Sequence, residues 1–237
     1  MSLVVSNGVH AMSESKRNIL VLLLTGLCAL GMAPLRAQEA APAACATPLD
    51  ARIENSCVVD AGTLWRGAKP SKAAATALVE RGVKTVVNLE WLHEDIDAFN
   101  DAAPTASGKR EIEYFRVVDW EPMVVIAPGT VDDRVARFIA ITRSQPKPIY
   151  VHCRAGRNRT GVMVAAYRIF NGMPIEDAIA EMGRYQGEWF SQDAKYLRTL
   201  TPDRIAVLER QVAQWIPKLK REATFVCEGS ACATRKP

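Results

Sequence analysis

The chain is poor in what several large classes of protein need. It has only three histidines among its 237 residues. No group of histidine and cysteine shows metal-ligand spacing, so nothing points to a structural or catalytic zinc centre. Formal net charge is +4, and residues 1–37 supply half of it, through Lys16, Arg17 and Arg36 against Glu14. The remaining bias is too weak to argue for a nucleic-acid surface. There is no internal repeat, no heptad pattern and no low-complexity tract beyond one Ala/Pro-rich segment. The apolar run from Ile19 to Ala33 is short for a membrane span, which takes about 20 residues. The chain is also too short for two full catalytic domains.

What is present fits one globular core: 49% hydrophobic and 24% charged residues. The N-terminus has a basic pair, Lys16-Arg17, then the apolar run, then Leu35-Arg36-Ala37 before a polar stretch. That order reads as a secretory signal over 1–37, with Met12 as an alternative start and an uncleaved inner-membrane anchor as the alternative reading. Cys28 follows Leu27, which argues against lipid attachment there. Residues 38–49 read as a flexible linker, 50–222 as a catalytic domain and 223–237 as a Cys-containing tail. The expected location is the bacterial periplasm, with no stable span once the signal is cleaved.

Six cysteines have to be placed. Cys28 leaves with the signal. Cys45, Cys57, Cys227 and Cys232 flank the domain, and in an exported protein they suggest two disulfides with three possible pairings. Both a local Cys227–Cys232 loop and a staple from the N-terminal segment to the tail are open. Cys153 is left over, a candidate reactive thiol.

Along the domain, Val58-Val59 and Thr63–Arg66 read as short strands. Ser71 is a good N-cap for a helix to Arg81, ended by Gly82. Val83–Leu89 is a β-branched strand. Residues 90–110 are polar and mixed, with one short helix. Ile112–Val118 is a strand, and a helix runs from about Gly129 to Arg143. Ile149–His152 is a strand, Thr160–Phe170 an apolar helix, and Pro174 opens another through Met182. Pro202 starts a last amphipathic helix to about Lys220. Strands alternating with helices imply an α/β fold with a central, mainly parallel sheet flanked by helices.

The stretch Val151-His-Cys-Arg-Ala-Gly-Arg-Asn-Arg-Thr-Gly161 joins such a strand to such a helix. Open α/β sheets bind ligands beyond the carboxyl ends of their strands. A loop running into a helix N-terminus aims several N–H groups at one spot, which suits an anion. Gly156 permits a tight or close-approaching backbone. Helix N-termini and nearby cations favour the thiolate form of cysteine, so Cys153 is expected to act as a nucleophile. Arg159 can return on the curling loop to hold two oxygens of a phosphate. Thr160 is expected to donate to the sulfur, and His152 to orient the loop.

His152-Cys153-x5-Arg159-Thr160-Gly161 resembles the signature of the cysteine-dependent protein tyrosine and dual-specificity phosphatases. Leu64-Trp-Arg-Gly-Ala-Lys-Pro-Ser71 and Gly82–Leu89 are similar to the opening of compact bacterial and plant/fungal dual-specificity-like members. Tyr167-Arg168 and Pro174–Met182 extend the likeness, which covers roughly residues 50–200. The late position of the signature is unlike the low-molecular-weight phosphatases and arsenate reductases.

The resemblance implies a metal-free, cofactor-free phosphatase of the dual-specificity fold. Cys153 attacks phosphorus and forms a cysteinyl-phosphate. The backbone of Arg154, Ala155, Gly156, Arg157, Asn158 and Arg159 binds the phosphate, helped by the Arg159 side chain. An aspartate after the preceding strand is the proton donor; Asp119 fits, with Glu121, Asp132 or Asp133 as alternatives. Arg154 and Arg157 are either solvated charges or, as in relatives acting on phosphoinositides or inositol polyphosphates, readers of a highly anionic substrate. The expected partners are a phosphorylated protein or an inositol phosphate or phosphoinositide, on a monomer. The other reading is a catalytically silent phosphate-binding module serving a partner.

Overall fold

The computed structural model describes residues 45, 47–105, 108–185 and 187–237. The expected signal segment, and the linker up to residue 44, lie outside the described residues. In chain order the elements are β1 (Cys57–Asp60), β2 (Leu64–Ala68), α1 (Lys72–Glu80), β3 (Thr85–Asn88), α2 (Ile96–Asn100) and β4 (Arg110–Arg116). Then come α3 (Met123–Ile126), α4 (Pro128–Ser144), β5 (Ile149–Cys153), α5 (Asn158–Phe170) and α6 (Ile175–Gly183). The chain ends with α7 (Phe190–Leu197), α8 (Pro202–Trp215), β6 (Ala223–Glu228) and β7 (Ala231–Arg235).

The strands form one sheet in the order β1-β2-β5-β3-β4-β6-β7. β2, β5, β3 and β4 run parallel; β1, β6 and β7 pair antiparallel at the margins. The expected α/β architecture with a mainly parallel centre is what the chain adopts. Side-chain alternation explains why adjacent positions of the central strands can both be apolar: neighbouring residues point to opposite faces, and both faces are covered. Val87, Phe115 and Val151 pack with α4–α8 on one face. Val86, Tyr114 and Tyr150 pack with α1 and α2 on the other. The N-cap expected of Ser71 is made, its hydroxyl accepting from the Ala74 amide.

Two segments differ from the sequence expectation. Residues 223–237 are not a tail. They form a hairpin turning at Gly229, φ +58°, with β6 hydrogen-bonded to β4 and Phe225 stacked on Phe99 at 4.3 Å. The Thr224-Phe-Val-Cys227 run has strand composition, and the open edge of β4 gives it a partner. The end of the supposed linker is likewise ordered by packing, since Leu49 is buried. The cysteines pair locally, Cys45 with Cys57 and Cys227 with Cys232, and Cys153 is unpaired. A staple between the two ends of the domain is therefore excluded.

Candidate active site

Cys153 is the last residue of β5, the loop spans 154–157, and α5 begins at Asn158. Three consecutive carbonyls of this loop are taken by the back of the molecule. Arg154 O accepts from the Lys69 amide at 3.2 Å and Ala155 O from Asn55 Nδ2 at 2.8 Å. Gly156 O accepts from Arg66 Nη2. In a planar trans peptide the N–H points opposite to the C=O. Fixing these carbonyls therefore turns the next amides, of Ala155, Gly156 and Arg157, the other way, as an anion-binding nest requires.

Gly156 is needed here for two reasons. Its φ is +67°, and a Cβ would lie 2.5–2.7 Å from the backbone of Gly67 and Ala68. The end of β2 and the 154–157 loop are thus in direct backbone contact.

Cys153, Arg154, Ala155, Arg157, Asn158 and Arg159 line one pocket of about 330 Å³. Glu121 and Glu188 lie in the same wall. The Arg159 Nε pairs with Glu121 Oε1 at 2.7 Å, and its Nη1 donates to the carbonyls of Leu89 and Asp119 at 3.3 and 3.4 Å. The guanidinium is therefore aimed at the pocket by the loops after β3 and β4. Arg154 and Arg157 are exposed at the mouth.

Asp119 sits close by but faces elsewhere. Its carboxylate accepts from Arg134 Nη1 at 2.6 Å and from the Trp120 amide at 2.9 Å, and it does not line the pocket. Burial pushes its carboxyl pKa up, against the opposing pull of Arg134, the Trp120 amide and Arg159. Asp132 and Asp133 are committed on α4: Asp132 pairs with Arg204 at 2.7 Å, and Asp133 accepts from the Trp215 indole at 2.9 Å. His152 is buried on the opposite side of β5 from the cysteine, its Nε2 2.7 Å from Asp95 Oδ2. Thr160 is buried, and its hydroxyl makes no hydrogen bond among the described residues. Among the described residues there is no cluster of His, Cys, Asp and Glu able to hold a metal.

The sequence assigns no role at the site to Asn55, Arg66 or Asp193. Arg66 and Asn55 hold the loop from behind. Asn158, oriented by its neighbours, accepts from the Glu188 and Trp189 amides at 3.2 and 2.8 Å. Asp193 on α7 is hydrogen-bonded to Asn158 and is pushed up to about 7, by burial above all and by the charges of Asp119 and Glu121. Beyond Glu121 and Glu188 a second groove, about 730 Å³, opens between α3 and α7, walled by Pro122, Val125, Ile126 and Trp189.

Comparison with known proteins agrees with this geometry. Residues 49–199 match the family described as DSP-PTPase phosphatase fused to NAD+ kinase. The chain is 31% identical over 123 residues to the dual specificity protein phosphatase TpbA of Pseudomonas aeruginosa strain UCBPP-PA14, covering 52% of this chain and 50% of that one. It is 34% identical over 107 residues to the probable chloroplastic NAD kinase 2 of Oryza sativa, covering 44% of this chain and 10% of that protein. The chain spans about half the length of the TpbA sequences it matches. The crystal structure of P. aeruginosa TpbA superposes with a TM-score of 0.55 at 26% identity, over 73% of this chain and 98% of that one. The core catalytic domain of the PP-IP phosphatase SIW14 from S. cerevisiae shares the fold, with a TM-score of 0.52 at 19% identity over 72% and 97% of the two chains.

Proposed function

Because the chain belongs to the family of DSP-PTPase phosphatases fused to NAD+ kinase, we propose that it is a metal-independent phosphomonoester hydrolase working through Cys153. The sulfur of Cys153 attacks phosphorus, the S–P bond forms and the P–O bond to the leaving group breaks. Asp119 gives its proton to the departing oxygen. Water then attacks the cysteinyl-phosphate, Asp119 takes a proton from it, and the S–P bond breaks to return the thiolate and free phosphate. Amides of the 154–159 loop and the Arg159 guanidinium hold the equatorial oxygens, where the charge of the transition state gathers.

The observation that carries this reading is the placement of the unpaired thiol and Arg159 in one small pocket under a loop whose carbonyls are all turned away. The raised carboxyl of Asp119 suits a proton donor. Its present partner, Arg134, means that the loop after β4 has to shift to bring it over the pocket. Glu121, already in the pocket wall, is the competing donor.

The substrate is a phosphoprotein or an inositol phosphate or phosphoinositide. The name of the TpbA relatives supports the first, and the exposed Arg154 and Arg157 support the second. The signal-like N-terminus and the paired cysteines support export to an oxidising compartment, the bacterial periplasm.

The test is hydrolysis of a generic aryl phosphate by the mature protein under reducing conditions, beside Cys153→Ser. Turnover in the parent without added metal, lost at least about a thousandfold in Cys153→Ser, is expected. Equal activity in both removes the nucleophile. No turnover by the parent on aryl phosphate, phosphotyrosyl peptide, phosphoinositide or inositol hexakisphosphate leaves a silent phosphate-binding module.

A further inference from the structure

Arg66 is used by no step above, yet its position is costly. It is the third residue of β2 and has 0% exposure. One guanidinium N–H donates to Gly156 O, and the Tyr185 ring covers the group at 3.5 Å from its centroid. Its Nε and Nη1 have no hydrogen-bond partner among the described residues. No carboxylate lies within ion-pair distance of it among those residues. The charged and titratable groups around it are Tyr185, Cys153 and Tyr150 of β5 and Glu181 of α6. Glu181 is already paired, with Arg168 at 3.2 Å.

A buried guanidinium without a carboxylate loses hydration that nothing in the empty protein fully returns. Burial accordingly pulls its pKa down. The fold nevertheless delivers it to the underside of the phosphate loop. Two consequences follow from that placement. Its hydrogen bond to Gly156 O fixes the peptide plane whose other end is the Arg157 amide. Its charge lies beneath the loop that carries the sulfur, in a region from which water is excluded and Coulomb attraction is little screened.

We propose that Arg66 is a positioning residue of the phosphate loop, holding the Gly156 carbonyl and supplying a fixed buried cation whose counter-charge is the Cys153 thiolate and the bound phosphate. The proposal rests on the phosphatase reading for its consequence in turnover. Two of its readouts, thiol reactivity and anion binding, do not depend on turnover.

The experiment compares the parent with Arg66→Met and Arg66→Lys. Three quantities are measured: the rate of Cys153 alkylation by iodoacetamide at a fixed pH of about 6.5, the affinity for inorganic phosphate, and kcat/KM for an aryl phosphate. Met replaces a buried charge by an apolar side chain of similar length, a change that folds often tolerate. Arg66→Met is expected to slow alkylation about tenfold and to weaken phosphate binding about tenfold or more. Arg66→Lys keeps the charge and loses the guanidinium geometry. It is expected to restore the alkylation rate while phosphate binding stays weakened about fivefold. A folded Arg66→Met protein with the parent's alkylation rate and phosphate affinity overturns the proposal. Should Arg66→Met not fold, Arg66→Lys carries the test, and parent-like phosphate affinity in it overturns the proposal. A parent without Cys153-dependent turnover sinks the phosphatase reading and leaves the alkylation and phosphate-binding readouts standing.

Discussion

The 154–157 loop, proposed to hold phosphate, and the loop after β4 face each other across one pocket and are held in opposite ways. In the first, each carbonyl from Arg154 to Gly156 has a partner, Lys69 after β2, Asn55 before β1 and Arg66 in β2, and Gly156 touches Gly67 backbone to backbone. In the second, Trp120, Val125 and Ile126 are exposed, and charge pairs supply much of the anchoring: Asp119 to Arg134 and Glu121 to Arg159. Binding an oxyanion needs donors fixed before the anion arrives. Delivering a proton needs a group that can approach the leaving oxygen and withdraw. The rigid half has its own backbone locked, by one amide, two side chains and the close approach of Gly67. The half that moves in the proposed mechanism is held in part by ion pairs, which an incoming phosphate would replace.

The strongest way to break this contrast is to loosen the rigid half. Gly156→Ala places a Cβ on the Gly67 backbone at a positive φ. It is expected to cost about a hundredfold or more in kcat/KM and to weaken inorganic phosphate binding in parallel. Unchanged kinetics show that the loop tolerates displacement after all.

Next comes the movable half. Asp119→Asn is expected to slow an alkyl phosphate about a hundredfold and an activated nitrophenyl phosphate less than tenfold. Equal slowing of both passes the donor role to Glu121.

A smaller effect should come from Glu121→Gln, which frees the Arg159 fork. Inorganic phosphate should bind about tenfold more tightly in a competition assay, since a like charge leaves the pocket wall. Weaker binding makes Glu121 part of the anion site rather than its competitor.

The least effect concerns the link behind Asn158. The Asp193 carboxyl is raised from 3.8 to about 7. The folded protein thus keeps a proton that the unfolded chain has released between about pH 4 and 7. Stability falls as pH rises through that window and levels off above it. Asp193→Asn should lessen the drop in Tm between pH 5 and pH 8. An identical drop in parent and variant places the titration elsewhere.

How much of this was legible in the sequence follows the same division. The β5–loop–α5 signal is local: an apolar strand, a cysteine, a glycine and a helix start within a dozen residues. The Ser71 cap and the parallel centre follow from equally local patterns. Arg66 lies in the family-like stretch Leu64–Ser71, but its role is not legible there, because its burial is decided by β5 and by Tyr185 after α6, far away in the chain. The same holds for Asn55, whose contact with Ala155 spans a hundred residues. α7 was missed because Phe190–Leu197 is short and only half apolar; it forms by burying Ala194, Tyr196 and Leu197. The β6–β7 hairpin had strand composition and a glycine turn, but only the free edge of β4 makes that run a strand.

The two disulfides have a consequence for how the molecule meets its neighbours. Cys57 belongs to β1, one margin of the sheet, while Cys227 and Cys232 join β6 to β7 at the other. An unprotected sheet margin is a template for pairing with a second chain. Here each margin is a short strand tied down covalently; β1 also has a register irregularity, and β7 ends in Arg235, followed by Lys236. Reduction would release those two borders before it reached the four parallel strands between them. Self-association ahead of any loss of the central fold is the expected first effect, and light scattering of the reduced protein checks it.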